Sequence, residues 1–201
     1  MTDNNIEFYN RNAVDIFEQY QSVSFQSIHQ NWLSLVSLLP GSRALDVGAG
    51  SGRDAKALSE LGFIVTAVEP AKLLYKMGCS YCEDKVEWID DSLPSLSQLN
   101  VRTFDLILIS AVWMHLTNNQ QLASLTRIFG LLNENGLVVI TLRHGTFQDS
   151  RTSSNLNADI TIKQAESLGL TCVFNQEDVD KLDRSSVNWQ TLVFAKQGVT
   201  Q

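Results

Sequence analysis

The sequence predicts an α/β protein: a doubly wound sheet of five parallel strands with helices on both faces, ended by an antiparallel hairpin. Three observations predict it. From Arg43 onward, short apolar runs alternate with helix-like segments, as strands joined by crossover helices must. The run "FDLILIS" (104–110) is continuously apolar, which suits a strand covered on both faces. The last two apolar runs, 170–174 and 188–195, are joined by a polar loop without a helix, so they should pair antiparallel.

Residues 5–20 carry Ile6, Tyr9, Ala13, Ile16, Phe17 and Tyr20 at helical spacing, and residues 26–38 repeat the pattern with Ile28, Trp32, Leu33 and Val36. Pro40-Gly41 should stop that second helix. Residues 1–40 therefore read as a helical extension, and 41–201 as the main body of a single-domain protein. "RALDV" (43–47) is a buried strand. A helix over about 52–61 ends at Gly62, and "FIVTAV" (63–68) is the second strand. A helix over about 70–78 and a strand "VEWI" (86–89) follow, then "FDLILIS". A helix over about 118–132 places Leu122, Leu125, Phe129 and Leu132 on one face. Asn135-Gly136 turns the chain into the fifth strand, "LVVITL" (137–142). A helix over about 159–168 precedes the hairpin strands "LTCVF" and "NWQTLVFA". Two long loops remain: the polar 143–158, at the edge where α/β sheets build their sites, and the charged 176–186.

The chain of 201 residues is long enough for one full core. Its net charge of −7, with no Lys/Arg cluster, argues against nucleic acid as a partner. The N-terminal segment lacks the basic and apolar regions of a secretion signal, and no apolar run could span a bilayer, so a cytoplasmic setting is expected. Cys79 and Cys82 form an isolated CxxC without a second ligand pair, so no metal site is expected, and with Cys172 they read as reduced thiols.

The stretch "ALDVGAGSGRDA" (44–55) joins the first strand to its helix. Glycines at Gly48, Gly50 and Gly52, with Ala49 between, let a backbone approach a ligand closely. Gly50, Gly52 and Ala55 loosely fit a dinucleotide fingerprint. Asp46 separates the possibilities. It interrupts a buried strand, and a buried carboxylate is costly unless a cation or a donor meets it. The ammonium and nearby sulfonium of S-adenosylmethionine would do so.

With "DVGAGSG" (46–52), "VTAVEP" (65–70), "DDSLP" (90–94), "SAVWMHL" (110–116) and the terminal hairpin, residues 43–196 resemble the class I S-adenosylmethionine-dependent methyltransferases. That resemblance implies a Rossmann-like sheet of order 3-2-1-4-5-7-6. It implies a cofactor site built from Asp46, Gly48, Ala49, Gly50, Gly52, Glu69, Pro70, Asp90, Asp91, Ser92 and Ser110, with S-adenosylhomocysteine as product. Glu69 would accept the ribose hydroxyls. Asp91, or else Asp90, would accept from the adenine amine. Arg53 is expected either to pair with the cofactor carboxylate or to lie on the surface of the first helical turn.

Methyl transfer needs alignment more than acid–base chemistry, because the cofactor carries the activated carbon. His115, just past the fourth strand, is the candidate general base; its alternative is a structural histidine bonding a loop carbonyl. Arg143 and His144, ending the fifth strand, are placed to face an acidic substrate group. Tyr9 and Tyr20 are candidates to cover the cofactor. The segment 110–116 lacks the Asn/Asp-Pro-Pro-Tyr and Pro-Cys patterns of DNA methyltransferases, which favours a small-molecule acceptor. A nicotinamide-dependent oxidoreductase, a non-catalytic S-adenosylmethionine-binding regulator and a macromolecular methyltransferase are the alternatives. The acceptor atom and oligomeric state stay open.

Overall fold

The computed structural model describes residues 3–36, 39, 41–182 and 184–198. Its strands are β1 (Arg43–Val47), β2 (Ile64–Val68), β3 (Val86–Ile89), β4 (Phe104–Ile109), β5 (Leu132–His144), β6 (Leu170–Val179) and β7 (Asn188–Lys196). They form one sheet in the order β3-β2-β1-β4-β5-β7-β6. The first five are mutually parallel, and β7 runs antiparallel to both β5 and β6. The expected topology is the observed one.

The helices are α1 (Asp3–Arg11), α2 (Ala13–Gln21), α3 (Phe25–Leu33), α4 (Arg53–Glu60), α5 (Lys72–Cys82), α6 (Asn118–Leu131) and α7 (Ala158–Ser167). Side-chain alternation along β4 builds both faces of the core. Leu106 and Leu108 join Ala55 and Leu58 of α4, together with Phe25 and Trp32 of α3. Ile107 and Ile109 join Leu125 and Ile128 of α6. A smaller cluster packs Tyr9, Ala13 and Ile16 of α1–α2 on Ala71 and Leu74. Among the described residues no helix is long and apolar enough to cross a membrane.

Several boundaries differ from the sequence reading. The helix expected over 5–20 is two helices. They break at Asn12, whose side-chain amide donates to the Phe8 carbonyl (2.8 Å) and competes with the helical ladder. The apolar stripe continues across the break, which hid it. The helix expected to reach 38 ends at Leu33. Pro40, its expected stop, lies outside the described residues. Helix α5 runs on to Cys82 rather than 78. Strand β5 starts at Leu132, which pairs with Phe104; the Asn133–Gly136 stretch then bulges, with Asn135 at φ 63°, before regular pairing resumes at Leu137. Strand β6 continues to Val179, so only the end of the charged 176–186 stretch is loop.

Candidate active site

The chain winds outward from β1 to β2 and β3 on one side and from β4 to β5 on the other. A crevice therefore opens beyond the ends of β1 and β4. The glycine loop lies there. Gly48 sits at φ +72°, and a Cβ on it would lie 2.4 Å from Cγ2 of Val112, so neither conformation nor space admits a side chain. Its amide and that of Ala49 donate to the Val68 carbonyl at 2.8 and 3.0 Å. Gly52, at φ +78°, caps α4, and a Cβ there would meet the Cys82 sulfur at 2.8 Å. Cys82 of the CxxC thus packs beneath the loop, and burial pushes its thiol up to about 12. All three cysteines are free.

Asp46 is 1% exposed, and its Oδ2 is buried without a hydrogen-bond partner among the described residues. Burial, then the charge of Asp54, pushes its pKa well above the ordinary carboxylate range, against Arg53 and a bond from the Ala55 amide. Glu69 ends the neighbouring strand. Its two oxygens accept from the amides of Gly50 (2.9 Å) and Ala71 (2.7 Å). Burial outweighs these bonds and pushes its pKa up to about 7. Each carboxylate oxygen keeps a second acceptor site. Pro70, half-buried, follows it.

Beyond β3, Asp91 accepts from the amides of Ser92 (2.8 Å) and Gln98 (2.7 Å), and so ties its own loop together. Asp90 is exposed and makes no such side-chain bond, and its charge is felt at Glu69. Ser110 lines the crevice beside Gly48, Glu69 and Tyr20.

Arg53 lines the cavity and is largely buried rather than free on the surface of the first helical turn. Its Nε and Nη2 donate to both oxygens of Asp54 (2.7 and 3.0 Å), and its Nη1 donates to the carbonyls of Tyr20 and Val23. Trp32 Nε1 donates to Nδ1 of His29, leaving Nε2–H of His29 to donate to Asp54 at 3.2 Å. This buried chain fastens α3 and the α2–α3 turn to α4. Nothing in residues 53–54 alone reveals it, because the partners lie 25 to 33 residues upstream.

Helix α1 and the loop after β5 close the crevice together. Asn5 accepts from the Thr152 amide (2.9 Å) and donates to the Thr152 carbonyl (3.1 Å). His115 lies beneath, 4% exposed, stacked on Phe147. Its Nδ1–H donates to the Thr152 carbonyl (3.0 Å), and its Nε2 accepts from the Tyr9 hydroxyl (2.9 Å). Burial is the main force lowering its pKa to about 4, with Arg151 and Arg143 adding to it, so the ring is neutral. The loop carbonyl is the partner that the structural alternative named.

Arg143 and His144 do not share a role. Successive strand residues point to opposite faces. Arg143 lines a cavity of about 130 Å³ that reaches the glycine loop, whereas His144 bonds Gln190 of β7 at 3.1 Å. The cavity wall also takes Phe147 and Arg151 from the polar loop, Asp180 and Arg184 from the β6–β7 turn, and Trp189 from the start of β7. Sequence reasoning missed these five. The turn reaches the site because β7 begins opposite His144, at the C-terminal edge of the parallel strands. Asp180 organises it by accepting from Arg184 and Trp189, each at 2.7 Å.

A sequence model described as methyltransferase domain matches residues 45–140, from within β1 to within β5. That match takes in the glycine loop and the strand ends around it. A second model, of protein-L-isoaspartate(D-aspartate) O-methyltransferase, matches residues 2–78 and so takes in the covering helices. An uncharacterized methyltransferase of Alkaliphilus oremlandii is 28% identical over 141 residues, 69% of this chain and 60% of that protein. The chain thus spans about three fifths of the length of the curated relatives it matches. Among solved structures, an N-methyltransferase of Bradyrhizobium japonicum in complex with S-adenosylhomocysteine superposes with a TM-score of 0.76 at 16% identity, covering 98% of this chain and 100% of that one. Magnesium protoporphyrin IX methyltransferase of Synechocystis, also with bound S-adenosylhomocysteine, gives 0.76 at 13% identity, covering 95% and 97%. These structural likenesses show that the fold is shared across almost the whole chain.

Proposed function

We propose that this protein is an S-adenosylmethionine-dependent methyltransferase acting on a small molecule. The observation that carries the reading is Asp46: a buried carboxylate oxygen without a partner, directly before a glycine loop that no side chain could occupy. A ligand with a cation there satisfies the oxygen, and the ammonium of S-adenosylmethionine fits. The domain match and the fold support the same reading.

In this reading Asp46 receives the ammonium. The Gly48–Gly52 backbone lets the ligand approach without a side chain in the way, Glu69 takes the ribose hydroxyls, and Ser110 and Pro70 border the seat. Asp90 receives the adenine amine in preference to Asp91, whose oxygens are already used by Ser92 and Gln98. When bound, the cofactor supplies a methyl carbon activated by its sulfonium. The protein supplies alignment and exclusion of water, by α1, α2 and the loop after β5. With its pKa near 4 His115 is a weak base, so it acts by holding the Tyr9 hydroxyl in place.

The roofed cavity and the net charge of −7 favour a small acceptor over nucleic acid. Three free thiols suit a reducing, cytoplasmic setting.

S-adenosylhomocysteine should raise the melting temperature, because it binds only the folded protein. NAD should not. A shift with NAD alone would transfer the glycine loop to a nicotinamide enzyme.

Residues 1–40 divide in two by packing. Helices α1 and α2 rest on their own small cluster, while Phe25 and Trp32 of α3 belong to the core beneath the sheet. Removal of residues 1–22 should leave a cooperatively melting protein with at least about tenfold weaker S-adenosylhomocysteine binding, a loss of about 1.4 kcal/mol. Removal of residues 1–36 also takes away Trp32 and should abolish the cooperative melt. Equal cofactor affinity in the shorter deletion would show that α1 and α2 do not cover the cofactor.

A further inference from the structure

We propose that the methyl acceptor is an anionic small molecule, and that Arg143 binds its carboxylate or phosphate group. The inference rests on the methyltransferase reading and names its substrate class. The protein is acidic overall, yet its cavity wall carries Arg53, Arg143, Arg151, Lys181 and Arg184, with Asp54, Asp178 and Asp180 among them. Four of these cations are neutralised on the spot: Arg53 by Asp54 (2.7 Å), Arg151 by Asp149 (2.6 Å), Lys181 by Asp178 (2.9 Å) and Arg184 by Asp180 (2.7 Å). Among the described residues Arg143 has no carboxylate within ion-pair distance.

Arg143 is nevertheless 7% exposed. Its Nη1 donates to the Gly145 carbonyl (2.8 Å), and its Nε is buried with no hydrogen-bond partner among the described residues. Burial, then Arg184 and Arg151, disfavour its charge, and Asp180 and Tyr9 offset only part of this. Arg143 and Arg151 also share Phe147, their guanidinium carbons 4.2 and 4.0 Å from the ring centroid. A buried cation among cations is held at a cost unless an anion joins it. A guanidinium fork is shaped for a carboxylate or phosphate.

Position assigns that anion to the acceptor rather than to the cofactor. Arg143 ends β5, two strands from the glycine loop at the end of β1, a lateral separation of roughly 10 Å at ordinary strand spacing. Val23, Ile28 and Met114 supply apolar wall in the same cavity, which suits a molecule with an apolar body and one oxyanion.

Benzoate and phenyl phosphate, with benzamide as the neutral comparison, are titrated calorimetrically into the full-length protein saturated with S-adenosylhomocysteine. At least one anion should bind about tenfold or more tightly than benzamide, as a charge-assisted bond requires. Arg143→Gln should remove that preference. Arg143→Lys, which keeps the charge, should retain part of it and shows that the position tolerates replacement. S-adenosylhomocysteine affinity should be the same in both variants. Equal binding of anions and benzamide by the unmodified protein would overturn the proposal. So would an unchanged preference in Arg143→Gln, or a parallel loss of S-adenosylhomocysteine affinity, which would give Arg143 to the cofactor. Should S-adenosylhomocysteine not bind the unmodified protein, the methyltransferase reading fails on its own; the titration without it still decides whether Arg143 selects anions.

Discussion

Asp54→Ala is expected to destabilise the protein by about 3–5 kcal/mol, the usual consequence of removing one member of a buried ion pair. For a chain of this length that lowers the melting temperature by roughly 10 °C. Asp54 is 6% exposed and receives two bonds from Arg53 and one from His29. Without it the Arg53 charge loses its carboxylate, and α3 loses its tie to α4. Burial works against the ionised form of Asp54, but Arg53 and His29 outweigh it and hold its pKa below the ordinary range. The sign follows. A carboxylate with a depressed folded-state pKa gives stability that is fully present above the unfolded value near 4 and is lost as pH falls through the folded value. The difference between the unmodified protein and Asp54→Ala should therefore be flat from pH 5 to 8 and shrink only in acid. Thermal melts across that range check it; a difference below about 1 kcal/mol at neutral pH would mean that the chain from Trp32 to Arg53 does not hold the helices. Cofactor affinity should fall as well, because an Arg53 released by Asp54 is free to neutralise Asp46.

Glu69→Ala is expected to weaken S-adenosylhomocysteine binding by about 1.5–3 kcal/mol, the range for hydrogen bonds to a charged group. It also frees the amides of Gly50 and Ala71 and so loosens the loop itself. The unmodified protein supplies a second readout. With a folded-state pKa near 7, Glu69 gives the empty protein stability that is present below about 4.5 and lost as pH rises through 7. Ribose hydroxyls need the ionised acceptor, so the bound state favours the opposite direction. The gain in melting temperature on adding S-adenosylhomocysteine should grow from pH 6 to 8, and Glu69→Ala should flatten that growth. A pH-independent gain would remove Glu69 from the ribose.

Much of the fold was legible because the apolar runs are short, dense and bounded by glycine. "VEWI" is a strand to the residue, and the antiparallel ending follows from the missing helix between the last two runs. What misled was local chemistry beneath a continuing stripe: Asn12 breaks a helix whose apolar face runs on, and Leu132 enters the sheet ahead of a bulge. The candidate cofactor loop was legible for a similar reason, since its glycines and acids sit within one strand–turn–helix. The acceptor side was less so. Arg143 was visible as a charge at a strand end. Phe147, Arg151, Asp180, Arg184 and Trp189 come from two loops and the start of β7, whose meeting depends on β7 lying beside β5, and no spacing in the sequence expresses that. The partners of Arg53 were hidden by the same distance along the chain.

In the proposed function Asp46 and Glu69, whose pKa values burial raises, receive the cation and hydroxyls of S-adenosylmethionine. Calorimetric titration of S-adenosylhomocysteine at pH 6, repeated in two buffers of different ionisation enthalpy, tests it most directly, with Asp46→Asn alongside. The expected result is binding by the unmodified protein with net release of protons to the buffer as Glu69 ionises, and at least about tenfold weaker binding in Asp46→Asn. Binding that releases no protons and is indifferent to Asp46→Asn, or heat from NAD and none from S-adenosylhomocysteine, would contradict it.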